Sequence, residues 1–264
     1  VGDHAVDEGE DGVSAPLAFL GRFGDAMQLI FEGETTREGT EIGGSQFLEL
    51  TWDHVQLTVV AMAIACALSI PLGLWLGHIR RGSFLAISLS NVGRAVPSLA
   101  LIAFFVAYLG VGFKNVALAL VLLAIPPILT NSYVGVTQVD RDTVDSARGM
   151  GMTESEIVRK VELPLALPLI FGGIRISAVN VIATATIAPL AGVNTLGDPI
   201  INSSGYGETG QLAAAIVVAS LAVLTELLLG AAQRAVTPEG IKLESRSASR
   251  RGRTPLSLRR AAST

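Results

Sequence analysis

The chain has 264 residues, 50% of them apolar and 16% charged, with a formal net charge of −4. Mean hydropathy is +0.54. A soluble domain normally carries about a quarter charged residues, so this composition excludes an ordinary soluble fold and points to a bilayer, with no nucleic-acid partner expected. The one cysteine, Cys66, excludes a disulfide framework or a thiolate metal cluster within the chain. It lies in an apolar run and reads as a small packed side chain.

Residues 1–49 form an acidic N-terminal tail. Eleven acids from Asp3 to Glu49 stand against only Arg22 and Arg37, and the weak periodicity points to poor order. A basic start and apolar run of the secretory kind are not seen, so insertion is expected to rest on internal segments. Residues 16–31 are short, carry Arg22 and Asp25, and read as an interfacial or disordered piece.

A membrane-crossing helix needs about 20 apolar residues. Five stretches within a permease-sized region, 50–234, qualify: about 55–77, 84–110, 115–139, 165–193 and 212–233. The expected class is therefore an all-α, polytopic membrane protein with five transmembrane helices. Trp52, Trp75, Tyr108 and Tyr133 lie near span ends, where aromatic rings anchor helices at the interface. Gly73 and Gly77 have the small-residue spacing of close helix packing.

Basic residues set orientation. The tail 235–264 carries Lys242, Arg246, Arg250, Arg251, Arg253, Arg259 and Arg260 against Glu239 and Glu244. Five crossings place this tail in the cytoplasm, the acidic tail outside, and the turn with Arg80 and Arg81 inside. The Gly-rich stretch 192–210 then falls outside.

Residues 140–164 form a 25-residue polar stretch on the cytoplasmic side, longer than most structureless connections. It reads as two helical pieces. Asp142 is expected to cap the first, which runs through Ser146 and Ala147 and is broken by Gly149 and Gly151. Thr153 and Glu156 have capping-box spacing for the second, and Pro164 falls near the start of the fourth span, where a helix tolerates it.

Asp145-Ser146-Ala147, then Gly151, then Val161-Glu162-Leu163-Pro164 resembles the EAA loop of binding-protein-dependent ABC importer permeases. That pattern is Glu-Ala-Ala, Gly six residues after the Glu, and Ile-x-Leu-Pro. The resemblance implies a type I importer permease (MetI-like) fold in which this loop is a coupling helix seated on an ATPase subunit. Asp145, Ser146, Ala147, Gly151, Val161, Leu163 and Pro164 are then the ATPase-coupling residues. A phosphate loop is not seen in the chain, so no cofactor is expected on it, and ATP and Mg belong to the partner ATPase. The chain itself is expected to be a transport subunit, not an enzyme.

The segments beginning at Asn91, Ile125, Val161 and Gly172 look like the glycine betaine/carnitine/choline (osmoprotectant) permease group. The resemblance implies a quaternary ammonium cargo, a second permease copy or paralogue, an extracytoplasmic binding protein and a bacterial or archaeal plasma membrane. The same architecture carrying an amino acid or sulfonate is the alternative. Arg94 departs from the neutral Gln expected at its position. Charged and polar groups inside spans usually face protein or water, which makes Asn131, Arg175, Thr184 and Arg94 the candidate translocation path. His4, His54 and His78 are scattered and form no catalytic or metal motif.

Overall fold

The computed structural model describes residues 11–35, 41–82, 84, 88, 93 and 95–237, with side chains from residue 21 onward apart from 34, 35, 41 and 42. Arg94, the first ten residues and the basic tail from residue 238 lie outside the described residues. Among the described residues the chain is all-α as expected, save for one antiparallel pair of two-residue strands, β1 (Glu34–Thr35) and β2 (Glu41–Ile42). The helices are α1 (Asp11–Glu32), α2 (Ser45–His78), α3 (Ser98–Leu109), α4 (Phe113–Thr137), α5 (Arg141–Gly149), α6 (Glu154–Ala185), α7 (Gly197–Ile201) and α8 (Ser203–Val236).

Among the described residues four helices, α2, α4, α6 and α8, are long and apolar enough to cross a membrane. Within the second expected span, 84–110, the described helical residues are 84, 88, 93, 95 and those of α3. The 12 residues of α3 give about 18 Å of helix, bounded on the N-terminal side by Pro97. α2 and α8 overrun the expected spans at both ends, and α4 and α6 start before theirs, but α4 stops at Thr137 and α6 at Ala185, short of the expected ends at 139 and 193. Apolar periodicity marks only the hydrocarbon-facing part, whereas hydrogen bonding continues a helix into polar sequence such as that before residue 55. Residues 11–32, expected to belong to a poorly ordered tail, are helical as α1.

The molecule divides into two compact units. The first comprises Val1–Ala65, Val92–Ile125 and Ser177–Glu226. Here Ala26 and Leu29 of α1 bury against Phe47 and Leu50 of α2 and against Leu196, Ala213 and Ala214. That burial is the physical reason α1 is ordered: an otherwise acidic helix covers an apolar patch, at roughly 25 cal/mol per Å² removed from water. The turn from α1 into α2 needs Gly43, at φ +101°, where any Cβ would strike the Leu29 carbonyl.

The stretch after α6 folds back as a short 3-10 turn, Ala188–Ala191. Thr195 donates to the Ala185 carbonyl at 2.9 Å, while its hydroxyl accepts from Gly197 N–H at 3.2 Å. Buried non-helical backbone of this kind is tolerated where protein satisfies its polar groups. The 192–210 stretch is therefore partly packed structure, with Leu196 fully buried. His54 is also buried, its Nε2 3.1 Å from the Ile182 carbonyl oxygen.

The second unit comprises Cys66–Asn91, Pro126–Ile176 and Leu227–Thr264. Its helices approach closely through glycines. A Cβ on Gly73 would lie 2.5 Å from Ser132 Cβ, and one on Gly77 would lie 2.7 Å from Val136 Cβ. The Gly73/Gly77 spacing in the sequence is thus a contact of α2 with α4, of the close kind small residues permit.

Candidate functional site

The polar stretch 140–164 lies wholly in the second unit. Asp140, rather than Asp142, caps α5. Its carboxylate accepts from the Asp142 N–H and the Thr143 hydroxyl, both at 3.4 Å, and satisfies donors that the first helical turn leaves open. Val144 and Ala147 turn inward onto Val139 and Ile157. Asp145 and Ser146 turn outward. Periodicity in a nine-residue helix divides the motif this way: its small Ala147 packs, and its acid is presented.

Gly151 ends α5 at φ +83°. Its N–H donates to the Arg148 carbonyl at 3.0 Å, and the Met152 N–H donates to the Ala147 carbonyl at 3.3 Å. This pair of bonds is the Schellman closure, which favours a left-handed glycine at this position. A Cβ on Gly151 would meet nothing within 4 Å, so the requirement is backbone conformation and an open outer face. Beside it, Met150 is 77% exposed.

The second piece starts as the spacing of Thr153 and Glu156 suggests. The Glu156 carboxylate accepts from the Thr153 N–H at 3.0 Å and from Lys160 Nζ at 2.8 Å. From there α6 runs without a break into the membrane segment, through one wide π turn, Val158–Glu162. Pro164 consequently sits well inside a continuous helix and not near its start. Proline removes one backbone donor. The π turn, closed by Leu163 N–H to the Val158 carbonyl, changes the bonding register immediately before it. Val161 packs on the α5 cluster, and Leu163 packs on Val136, Ala166 and Ile170. The two apolar residues of the Val161-Glu162-Leu163-Pro164 segment therefore tie the loop to the membrane helix.

A chain of charges crosses this site. Arg148 donates to Asp145 Oδ1 at 2.9 Å and grips both carboxylate oxygens of Glu154 at 2.9 and 3.0 Å. The Glu154 hydrogen bond and charge push the Arg148 guanidinium above its ordinary value. Glu154 also lies 3.2 Å from His78 Nε2, and His78 Nδ1 lies 2.8 Å from Glu162, which is 3% exposed. Arg80 donates to the Thr137 and Val139 carbonyls at 3.3 and 3.0 Å, neutralising the C-terminal end of α4. The sequence reading places His78 merely at a span edge. The burial of Glu162, which makes a polar partner necessary, shows only in the structure, so no local signal marks His78.

The proposed path residues do not converge in the same way. Asn131 donates to its own helix at the Pro127 carbonyl, 2.8 Å away. Arg175 donates to the Gln233 side chain at 2.6 Å. Thr184 is half-buried near the end of α6, within the first unit.

Four long apolar helices with a packed, outward-presenting polar loop define a multi-pass membrane protein. A model of the family described as binding-protein-dependent transport system inner membrane component matches residues 69–238. The chain belongs to that family: it is a multi-pass permease subunit of an ABC importer, and not an enzyme. The choline transport system permease protein OpuBB of Bacillus subtilis (strain 168) is 36% identical over 76% of this chain and 94% of its own. The glycine betaine/carnitine/choline transport system permease protein OpuCB of the same organism is 35% identical over 76% and 94%. The fold is similar to that of the MetNI methionine ABC transporter in an inward-facing conformation, with a TM-score of 0.63 at 22% identity, covering 72% of this chain and 96% of that one.

Proposed function

We propose that this permease imports a quaternary ammonium osmoprotectant, such as glycine betaine, choline, carnitine or proline betaine, by alternating access driven by a separate ATPase. ATP and Mg act on that partner, an extracytoplasmic binding protein delivers the cargo, and a second permease copy or paralogue completes the pathway. The observation that carries the coupling role is the 140–164 loop. Asp145, Ser146, Gly151 and Met150 are presented outward, while Ala147 of α5 and Val161 of α6 share one apolar cluster and Leu163 packs on Val136, Ala166 and Ile170, just ahead of the membrane segment that Pro164 enters. A load applied to the exposed face is thereby transmitted to a membrane helix as a rigid-body shift.

The orientation that suits this role has the basic tail and the loop in the cytoplasm of a bacterial or archaeal cell and the acidic tail outside, in accord with the distribution of Lys and Arg. The cargo class is supported by the names of the relatives. Arg175 and Asn131, engaged with Gln233 and Pro127, form wall elements of the path, and Thr184 offers a hydroxyl along it. Arg94 belongs to the same proposal on sequence grounds.

Uptake of radiolabelled glycine betaine, choline and carnitine in a strain lacking the gene tests the cargo. Loss of uptake for at least one is expected. Unchanged uptake of all three favours the amino-acid or sulfonate alternative while leaving the permease assignment intact.

A further inference from the structure

The residues resembling the EAA motif account for how the loop is shaped and what it presents. They do not account for how displacement of the loop reaches α2, which belongs to a different part of the chain. His78 is the last residue of α2, and its ring stands between two carboxylates of α6: Nδ1 is 2.8 Å from Glu162 and Nε2 is 3.2 Å from Glu154. Each ring nitrogen thus has a carboxylate oxygen within hydrogen-bond distance. The far side of Glu154 is held by Arg148, and Arg148 holds Asp145. An unbroken series therefore runs from the outward acid of α5 to the end of α2.

The burial pattern grades the series. Side-chain exposure is 70% at Asp145, 49% at Arg148 and 57% at Glu154, then drops to 15% at His78 and 3% at Glu162. An exposed ion pair holds weakly. A buried carboxylate parted from its hydrogen-bond partner loses the contact that offsets its burial. The link is firmest where α2 meets α6 and loosest where a partner would touch it. The π turn contributes by carrying Glu162 to that inner position.

We propose that His78 is a positioning residue for transport, clasping the end of α2 to the coupling segment through Glu162 and Glu154 so that the two move together. The proposal rests on reading residues 140–164 as the ATPase-coupling loop.

The test uses the complete transporter in proteoliposomes, with Cys66→Ser and spin labels replacing Ile79 and Arg159, both accessible. With the clasp intact, the distance between the labels stays the same with and without ATP. In the paired variant His78→Leu with Glu162→Leu, ATP shifts or broadens that distance. An apolar pair in place of two hydrogen-bonded side chains is commonly tolerated for folding when both partners are replaced together. Uptake of radiolabelled choline or glycine betaine per ATP hydrolysed should also fall, by about tenfold, and His78→Lys should restore part of it. A purely structural role would not make the distance respond to ATP.

An ATP-independent distance in the paired variant overturns the proposal. Should that variant fail to assemble, the exposed Glu154→Gln variant decides by the same distance criterion. Uptake by Gly151→Leu separates the two possible failures. Abolished uptake there, with an ATP-independent distance in the paired variant, removes the clasp alone. Undiminished uptake removes the coupling reading itself.

Discussion

Arg175 donates to the side-chain carbonyl of Gln233 across 2.6 Å, and the Gln233 amide donates in turn to the Pro168 carbonyl at 2.8 Å. One charge on α6 is thus tied to α8 and, through it, back to α6. Within a membrane, links of this kind average about 0.6 kcal/mol and reach about 1.7. Arg175→Gln should lower the thermal unfolding midpoint of the solubilised permease and the maximal uptake rate. The cargo concentration at half-maximal uptake should stay unchanged. A change in that concentration would place Arg175 in contact with the cargo.

The adjacent glycines of α6 offer an internal control. A Cβ on Gly173 would lie 2.8 Å from both Asn131 Cβ and the Pro127 carbonyl oxygen, whereas one on Gly172 would meet nothing within 4 Å. Gly173→Ala should destabilise the helix contact by about 1–3 kcal/mol through overpacking. Gly172→Ala should be neutral or slightly stabilising. Denaturation in detergent reads the difference, and equal behaviour of the two would refute the close approach.

Gly151 separates backbone need from steric need. Its φ of +83° penalises a β-carbon, at about 1–2 kcal/mol, and the open space around it leaves a large side chain projecting from the loop. Gly151→Leu should reach the membrane in normal amount yet lose uptake. Gly151→Asn, which tolerates the left-handed region, should retain more. Fractionation combined with an uptake assay checks both.

Removing the Asp140 carboxylate exposes the first-turn donors of α5. Asp140→Ala should cost about 1 kcal/mol of local helix stability and speed hydrogen exchange across 141–149. Asp142→Ala should have the smaller effect, because the cap is one helical start earlier than the spacing of acids suggests.

Much of the architecture was legible from composition. The apolar stretches 55–77, 115–139 and 212–233 lie within α2, α4 and α8 apart from the last residues of the second, because a hydrocarbon environment demands uninterrupted apolar sequence and little else. The loop was legible too. Capping and left-handed closure are short-range requirements, and the sequence states them in Thr153, Glu156 and Gly151. What could not be read locally was partnership. His78 meets Glu162 across 84 positions, and nothing in either neighbourhood encodes the pairing. The order of α1 likewise depends on Phe47, Leu50 and Leu196, so the acidic composition of the tail around it misleads. The π turn escaped because Pro164 is compatible with a helix start as well as with a register change before it.

That wide turn makes chain length within the loop a mechanical quantity. An ordinary surface connection absorbs an added or lost residue as slack. Here α5 is followed by a helix that runs unbroken into the membrane, and each residue of α-helix turns it by about 100°. Deleting exposed Lys160 would bring the wide turn to ordinary pitch without breaking the helix. The loop side would keep nearly the same facing, because the wide turn already absorbs that one residue, whereas a residue deleted from the ordinary helix that follows it would swing Glu154 away from His78. Past the wide turn an insertion or deletion acts as a rotation.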